Sequence, residues 1–222
     1  MISLLDVVAP ERCAVCGLGE LALCERCRRS LVLLRPPLCA RCGAETAWPL
    51  ERCAECARRR LPFRSARAAV VYDERARRLV AGWKERGLRR LAALLADVVV
   101  DTVPRPPADA LVFVPGDPDR ARWRGHNTAE GLACALAKRW RVAVVPALER
   151  ARRVPPQRSL PRAERRVNTR GSFRARVRPP ARVVLIDDVY TTGATVSAAA
   201  TALRAAGART VDVVTFARVA RR

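Results

Sequence analysis

Residues 183–195 read Val-Val-Leu-Ile-Asp-Asp-Val-Tyr-Thr-Thr-Gly-Ala-Thr, and the fold follows from how that run divides. Its four leading apolar residues predict a strand buried on both faces, the pattern of a parallel sheet. Asp187 and Asp188 come where the strand emerges, and a Thr/Gly loop follows. Val196 to Ala206 is then Ala-rich and reads as helix, stopped by Gly207. In open parallel sheets, ligands sit at the carboxyl ends of the strands. A helix N-terminus at that place offers unpaired N–H groups and a positive dipole end to a phosphate. Asp187 and Asp188 suit hydrogen bonds from neighbouring hydroxyls, as on a ribose. Thr191, Thr192 and Thr195, with the backbone of Gly193 and Ala194, suit one phosphate. The loop lacks the Gly-Lys-Ser/Thr ending of a P-loop and the spaced glycines of a dinucleotide fold. A sugar phosphate is therefore the ligand class it points to.

Outward from this run, strands and helices alternate. Ala68 to Tyr72 reads as a strand and residues 74–103 as helix broken near Gly87, with Leu79, Val80, Trp83, Leu91, Leu94 and Leu95 as its apolar stripe. Asp109 to Val114 is the next strand, about Asn127 to Trp140 a helix, Val142 to Val145 a strand, and Val211 to Phe216 the last strand. Such a β/α series predicts an α/β fold with a parallel sheet and helices on its faces.

Eight of the nine cysteines fall in four Cys-x-x-Cys pairs: Cys13/Cys16, Cys24/Cys27, Cys39/Cys42 and Cys53/Cys56. A two-residue gap lets both thiolates of a knuckle reach one tetrahedral zinc, and two knuckles close a four-cysteine site. Cys13-Ala-Val-Cys16-Gly17 repeats as Cys39-Ala-Arg-Cys42-Gly43, and a glycine there suits a backbone that turns through left-handed space. The repetition favours sequential pairing of the knuckles, two zinc ions in all; a cross-braced arrangement also satisfies the spacing. Four thiolates leave no open position, so the metals are structural. Disulfides are the rival reading, but Met1 to Asp6 lacks the basic start and apolar run of a secretory signal. The apolar stretch Leu91 to Val100 is broken by Asp97, so no membrane span is expected. A cytoplasmic setting, where thiols stay reduced, is the expectation. Cys134, in Leu132-Ala-Cys-Ala-Leu136, reads as a buried filler. The chain divides into a double zinc ribbon over 1–62, too short to support its own core without metal, and an α/β domain over 63–222.

Half of the 222 residues are hydrophobic, enough for a core in the larger part, and only 5% are aromatic, which leaves little surface for stacking bases. The formal net charge is +22, and two zinc–tetrathiolate centres bring it to about +18. Lys84 and Lys138 are the only lysines; every other basic residue is arginine. Such charge favours polyanions, whether pyrophosphate or nucleic acid. Arg120, Arg122 and Arg124 alternate just past the strand at 111–114 and could grip a diphosphate through their forked donors. His126, the only histidine, has no catalytic partner near it in sequence and reads as a loop residue. From Arg150 to Arg178 there are 11 arginines and one acid, Glu164, a composition that cannot be buried and suits a lid or a tether.

The ordered set of motifs resembles a known family. The run at 187–195 is similar to the phosphoribosyl-pyrophosphate (PRPP) motif of type I phosphoribosyltransferases. The knuckles, Trp83-Lys84, Pro118-Asp-Arg-Ala-Arg-Trp-Arg-Gly-His-Asn127, Leu148-Glu-Arg150, Gln157-Arg-Ser-Leu160 and Arg165-Arg-Val-Asn168 complete a pattern similar to the ComF family, double zinc ribbons joined to a phosphoribosyltransferase-like domain and linked to natural DNA competence. The resemblance implies that Asp187 and Asp188 hold the ribose hydroxyls and that residues 191–195 hold the 5′-phosphate. It also makes Lys84, Arg120, Arg124, Asn127, Arg150, Gln157 and Arg165 candidates for the pyrophosphate or for a lid over 150–168. Mg²⁺ would accompany PRPP. Glu85, His126 and Thr128 depart from the family pattern, which has an aromatic, Phe and Gln there; this touches the acceptor pocket. Two classes of function are implied: a phosphoribosyltransferase, whether competence-linked or a nucleobase-salvage enzyme, and a zinc-ribbon adaptor that binds single-stranded DNA, a competence helicase or other DNA-processing proteins.

Overall fold

The computed structural model describes residues 12–117, 126–151 and 171–220. Their elements run α1 (Glu25–Arg29), β1 (Ser65–Val71), α2 (Glu74–Glu85), α3 (Leu91–Thr102), β2 (Ala110–Phe113), α4 (Thr128–Trp140), β3 (Leu148–Arg150), β4 (Phe173–Ala175), β5 (Arg182–Tyr190), α5 (Ala194–Ala205) and β6 (Thr210–Arg218). Four strands form a parallel sheet in the order β1-β6-β5-β2, as the alternating pattern predicts. Among the described residues, no helix is long and apolar enough to cross a membrane.

Strand β5 is central, and its alternation sorts the two faces. Val184 and Ile186 point into one core with Leu79, Trp83, Leu91, Leu95 and Leu132 from α2, α3 and α4. Val183 and Leu185 point into the other, with Val196, Ala199 and Leu203 from α5. All of these are almost wholly buried, and each large side chain contributes about 2 kcal/mol by leaving water. Helix α2 is capped by Asp73, whose carboxylate accepts the Ala76 N–H at 2.9 Å. Gly87, at a φ of 69°, lies between α2 and α3, which is the break expected there.

The amino-terminal ribbons are built into this sheet. Residues 32–34 lie antiparallel against β1, through a Leu33–Val70 bridge and a bond from the Leu34 N–H to the Ala69 carbonyl at 2.9 Å. The first ribbon packs into the α2–α3 core through Cys13, Leu23 and Leu31. Cys39, Cys42, Leu61 and Phe63 of the second pack into the α5 core. The two ribbons thus clasp opposite faces of one sheet edge.

Several expectations are corrected. Strand β5 does not end at the acids: it runs through Asp187 and Asp188 to Tyr190, because β6 stays in register with it as far as Arg218. Helix α5 starts two residues early, at Ala194, since Gly193 supplies a left-handed N-cap with φ 74°. Residues 142–145 make only one parallel bridge, Val144 to Leu111, at the sheet edge. The ends of the Arg-rich segment are not irregular; β3 and β4 pair antiparallel, with Arg174 bonded to Glu149. Cys134 is exposed rather than buried, because Leu132, Ala133, Ala135 and Leu136 take the inward face of α4.

Candidate functional site

A cavity of about 340 Å³ opens at the carboxyl end of the sheet. Asp187, Asp188, Thr191 and Thr195 line it, together with Lys84 from α2, Asn127 and Thr128 at the start of α4, Arg150 from β3, and Pro115 to Asp117 after β2. Residues from these five separated stretches therefore meet where open parallel sheets bind ligands. The expected site residues Arg120, Arg124, Gln157 and Arg165 lie outside the described residues.

The two acids differ in surroundings. Asp188 is buried and held on both oxygens: Lys84 Nζ donates to Oδ1 at 2.7 Å, and the Thr128 hydroxyl donates to Oδ2 at 2.7 Å. Asp187 accepts the Asp188 N–H at 2.9 Å. Burial pushes Asp187 up to about 7, and the neighbouring Asp188 carboxylate adds to the rise. Lys84, the Asp188 N–H and Arg150 pull the other way without cancelling it. A carboxylate in that condition is one that a divalent cation or a ring of hydroxyl donors would stabilise.

The loop after β5 is shaped by what lies beneath it. Gly193 rests on Tyr190, and a Cβ at that position would collide with the Tyr190 hydroxyl and ring. Thr191 and Thr195 face the cavity. The Thr192 hydroxyl instead accepts the Ala194 N–H at 3.3 Å, so it serves the bend itself. By position, Ala194, Thr195 and Val196 have N–H groups with no intrahelical acceptor, and Thr192 takes one of them.

Other expected residues are brought to the rim by specific bonds. Asn127 caps α4 by accepting the Ala129 N–H at 3.0 Å and donates to the Val114 carbonyl at 3.1 Å, which fixes the turn from β2 into α4. Arg150 donates from Nε to the Pro115 carbonyl at 3.1 Å and lies over the Phe173 ring at 5.0 Å. His126 Nε2 is 2.8 Å from the Trp83 carbonyl, which can only accept, so that nitrogen carries the proton. Sequence reasoning missed Thr128 as a partner of Asp188. The only signal was its place at the first helical position after an Asn cap.

The cysteines form two four-sulfur clusters, Cys13/Cys16/Cys24/Cys27 and Cys39/Cys42/Cys53/Cys56, so the pairing is sequential. Sulfur separations of 3.9 Å for Cys16–Cys24, 3.6 Å for Cys39–Cys56 and 3.5 Å for Cys42–Cys53 are far too long for disulfides. They match the edge of a tetrahedron with zinc at its centre, about 3.8 Å. Against burial, backbone donors favour one thiolate in each cluster, Cys13 and Cys39, while burial pushes the Cys27, Cys42 and Cys56 thiols up. Burial works against ionisation of Cys39, but the N–H groups of Cys42, Cys53 and Arg41 outweigh it and bring that thiol down to about 6. Gly17 and Gly43 turn at φ 75° and 69°, as the knuckle spacing requires. These are two structural Zn²⁺ sites.

Fold and clusters together define a double zinc ribbon built onto a parallel α/β domain with a ligand-sized cavity at the carboxyl end of its sheet. The double zinc ribbon domain family matches residues 4–60. The chain is 32% identical over 157 residues to the competence protein ComFC of Streptococcus pneumoniae, covering 70% of this chain and 68% of that protein. It is 28% identical to competence protein F of Haemophilus influenzae and 28% identical to the DNA utilization protein YhgH of Salmonella typhi, covering 93% of this chain and 96% of the relative in both cases. Among solved structures, the glutamine PRPP amidotransferase of B. subtilis, complexed with ADP and GMP, is 25% identical with a TM-score of 0.39, covering 57% of this chain and 25% of that one. The chain belongs to the ComF family.

Proposed function

We propose that residues 63–222 form a PRPP-binding domain that takes a ribose phosphate with Mg²⁺ in the cavity at 187–195, in service of DNA uptake, while residues 1–62 form its double zinc ribbon. The observation that carries this is the pairing of two adjacent carboxylates with a Thr/Gly helix N-terminus around one cavity. Asp187 and Asp188 are of the right chemistry for the ribose 2′ and 3′ hydroxyls. Thr191, Thr195 and the amides of the bend suit the 5′-phosphate. Lys84 and Arg150 supply positive charge on the rim for the pyrophosphate, with Arg120, Arg124, Gln157 and Arg165 as further candidates. A bound Mg²⁺ would neutralise pyrophosphate charge, and the uncompensated carboxylate of Asp187 is an oxygen ligand of the hard type that this ion takes. With no single general base demanded, catalysis by this chain would be positioning and electrostatics. Calorimetry with PRPP and Mg²⁺ tests the reading. Binding in the natural protein should be lost in the Asp187→Asn/Asp188→Asn variant, and absence of heat with either protein removes the proposal. PRPP consumption across a panel of bases then tells a transferase from a binding protein.

A second reading rests on the ribbons. Trp48 is 64% exposed, and Leu18 and Leu21 stand out from the first ribbon, in a chain of net charge +22. An exposed indole on a chain of strong net positive charge suits stacking on single-stranded DNA, which fits the competence and DNA utilization names of the relatives. Binding to labelled single strands should fall steeply with salt and weaken on Trp48→Ala. The thiolate clusters also need a reducing compartment, which supports a cytoplasmic place.

A further inference from the structure

Two arginines join the second zinc cluster to the loop at 191–195. Arg218, at the end of β6, is 3% exposed. It donates to the Cys42 carbonyl at 2.9 Å and to the Glu55 carboxylate at 2.7 Å, and lies 3.8 Å from Cys42 Sγ. Its guanidinium covers the Tyr190 ring at 4.6 Å from the centroid. Tyr190 is the platform under Gly193; its buried hydroxyl has no hydrogen-bond partner among the described residues, so the ring is held by Arg218 on its face and by the edge contact with Phe63. Arg59 makes the second connection. Its N–H bonds the Cys56 carbonyl at 3.0 Å, and its Nη2 donates to the Thr192 carbonyl at 2.7 Å. The first cluster sits on the opposite face, tied to α2 through Arg78 and Arg86, which donate to the Val15 and Ala14 carbonyls.

We propose that Arg218 and Arg59 are positioning residues that make the second zinc ribbon part of the scaffold of the phosphate loop. Metal at Cys39, Cys42, Cys53 and Cys56 then sets the conformation of residues 191–195, and metal at the first cluster does not. The functional weight of this rests on the reading of that loop as a ligand site. The physical reason is that both arginines bond to the backbone or neighbours of the ligating cysteines. Zinc fixes the Cys42 carbonyl and the turn at Cys53 to Cys56. Without it, the buried Arg218 cation loses the acceptors that hold it flat on Tyr190, and Gly193 loses the surface that shapes its left-handed turn.

Amide hydrogen exchange over residues 190–200 of the full-length, zinc-loaded protein tests the coupling without any ligand. Arg59→Ala should retain two zinc ions by metal analysis, yet exchange over 191–197 should speed up by about tenfold, the effect of losing one charge-assisted bond. Cys53→Ser, which opens the second site, should do the same or more, while Cys16→Ser, which opens the first, should leave that stretch unchanged. Unaltered exchange in Arg59→Ala overturns the proposal, as does equal acceleration in the two cysteine variants. If the exchange pattern holds and the natural protein binds no PRPP, the ligand reading of the loop fails and the coupling stands.

Discussion

Lys84 on α2 and Asp188 in β5, 104 positions apart in the chain, meet with Nζ 2.7 Å from Oδ1. The pair is largely shielded, with 29% and 11% of the two side chains exposed, and Thr128 completes the carboxylate from the other side. Removing only the cation leaves a shielded charge without its partner. Lys84→Met should therefore destabilise the fold by about 2 kcal/mol, below the figure for a fully buried pair because water still reaches the ammonium. Adding Asp188→Asn should recover most of that loss. Urea unfolding of the two single variants and the double variant measures it; additive losses would show that the pair is not coupled.

Asp187 has its folded-state pKa raised from 3.8 to about 7 by burial and by Asp188. The folded protein therefore holds that proton over a range where the unfolded chain has lost it. Stability from this group is full below the ordinary carboxylate range, falls as pH rises towards 7, and is level above. Asp187→Asn should remove this dependence. Relative to the natural protein, the variant should gain stability as pH rises from about 4 to about 7 and hold a constant margin above that, measured by unfolding with zinc present. A loss over that interval would mean that Asp187 is stabilised as the anion.

Gly193→Ala places a Cβ against the Tyr190 hydroxyl at a φ of 74°. Strain of this kind costs about 1–3 kcal/mol, and it falls on the bend proposed to take the phosphate. Thermal unfolding should register the cost. PRPP calorimetry should show an affinity loss larger than that of Gly131→Ala, where a methyl meets only Ala92 and Trp83 at ordinary contact distance.

Two zinc ions should be found per chain, and Cys16→Ser should reduce the count to one. Chelation should unfold the ribbons, because their sulfurs are gathered by metal more than by core area. The first ribbon shares its apolar cluster with α2 and α3. Zinc loss should therefore also lower the melting temperature of the α/β part, as calorimetry would show.

Cys134→Ser should change stability by less than about 0.5 kcal/mol, since that thiol is exposed on α4. A large loss in unfolding experiments would place it in the core after all.

Local chemistry was enough to read the parallel sheet, the two four-cysteine sites and the acid–acid–Thr-Gly-Thr bend from the chain alone. In each, the signal is a short apolar run, a repeated two-residue cysteine gap or a contiguous motif, so spacing and apolar period carry the reading. Asp187 and Asp188 could be named as a pair on that basis. Their division of labour could not, because Lys84 and Thr128 reach Asp188 from α2 and α4 across long stretches of chain. The same holds for Arg218 and Arg59, which look like any other arginine in a sequence crowded with them. Only the packing of the second ribbon against β5 and α5 shows that one is buried on Tyr190 and the other reaches Thr192. Short-range steric and metal-ligand rules are written in the order of residues; the partner and solvation of a charge are decided when distant segments close around it.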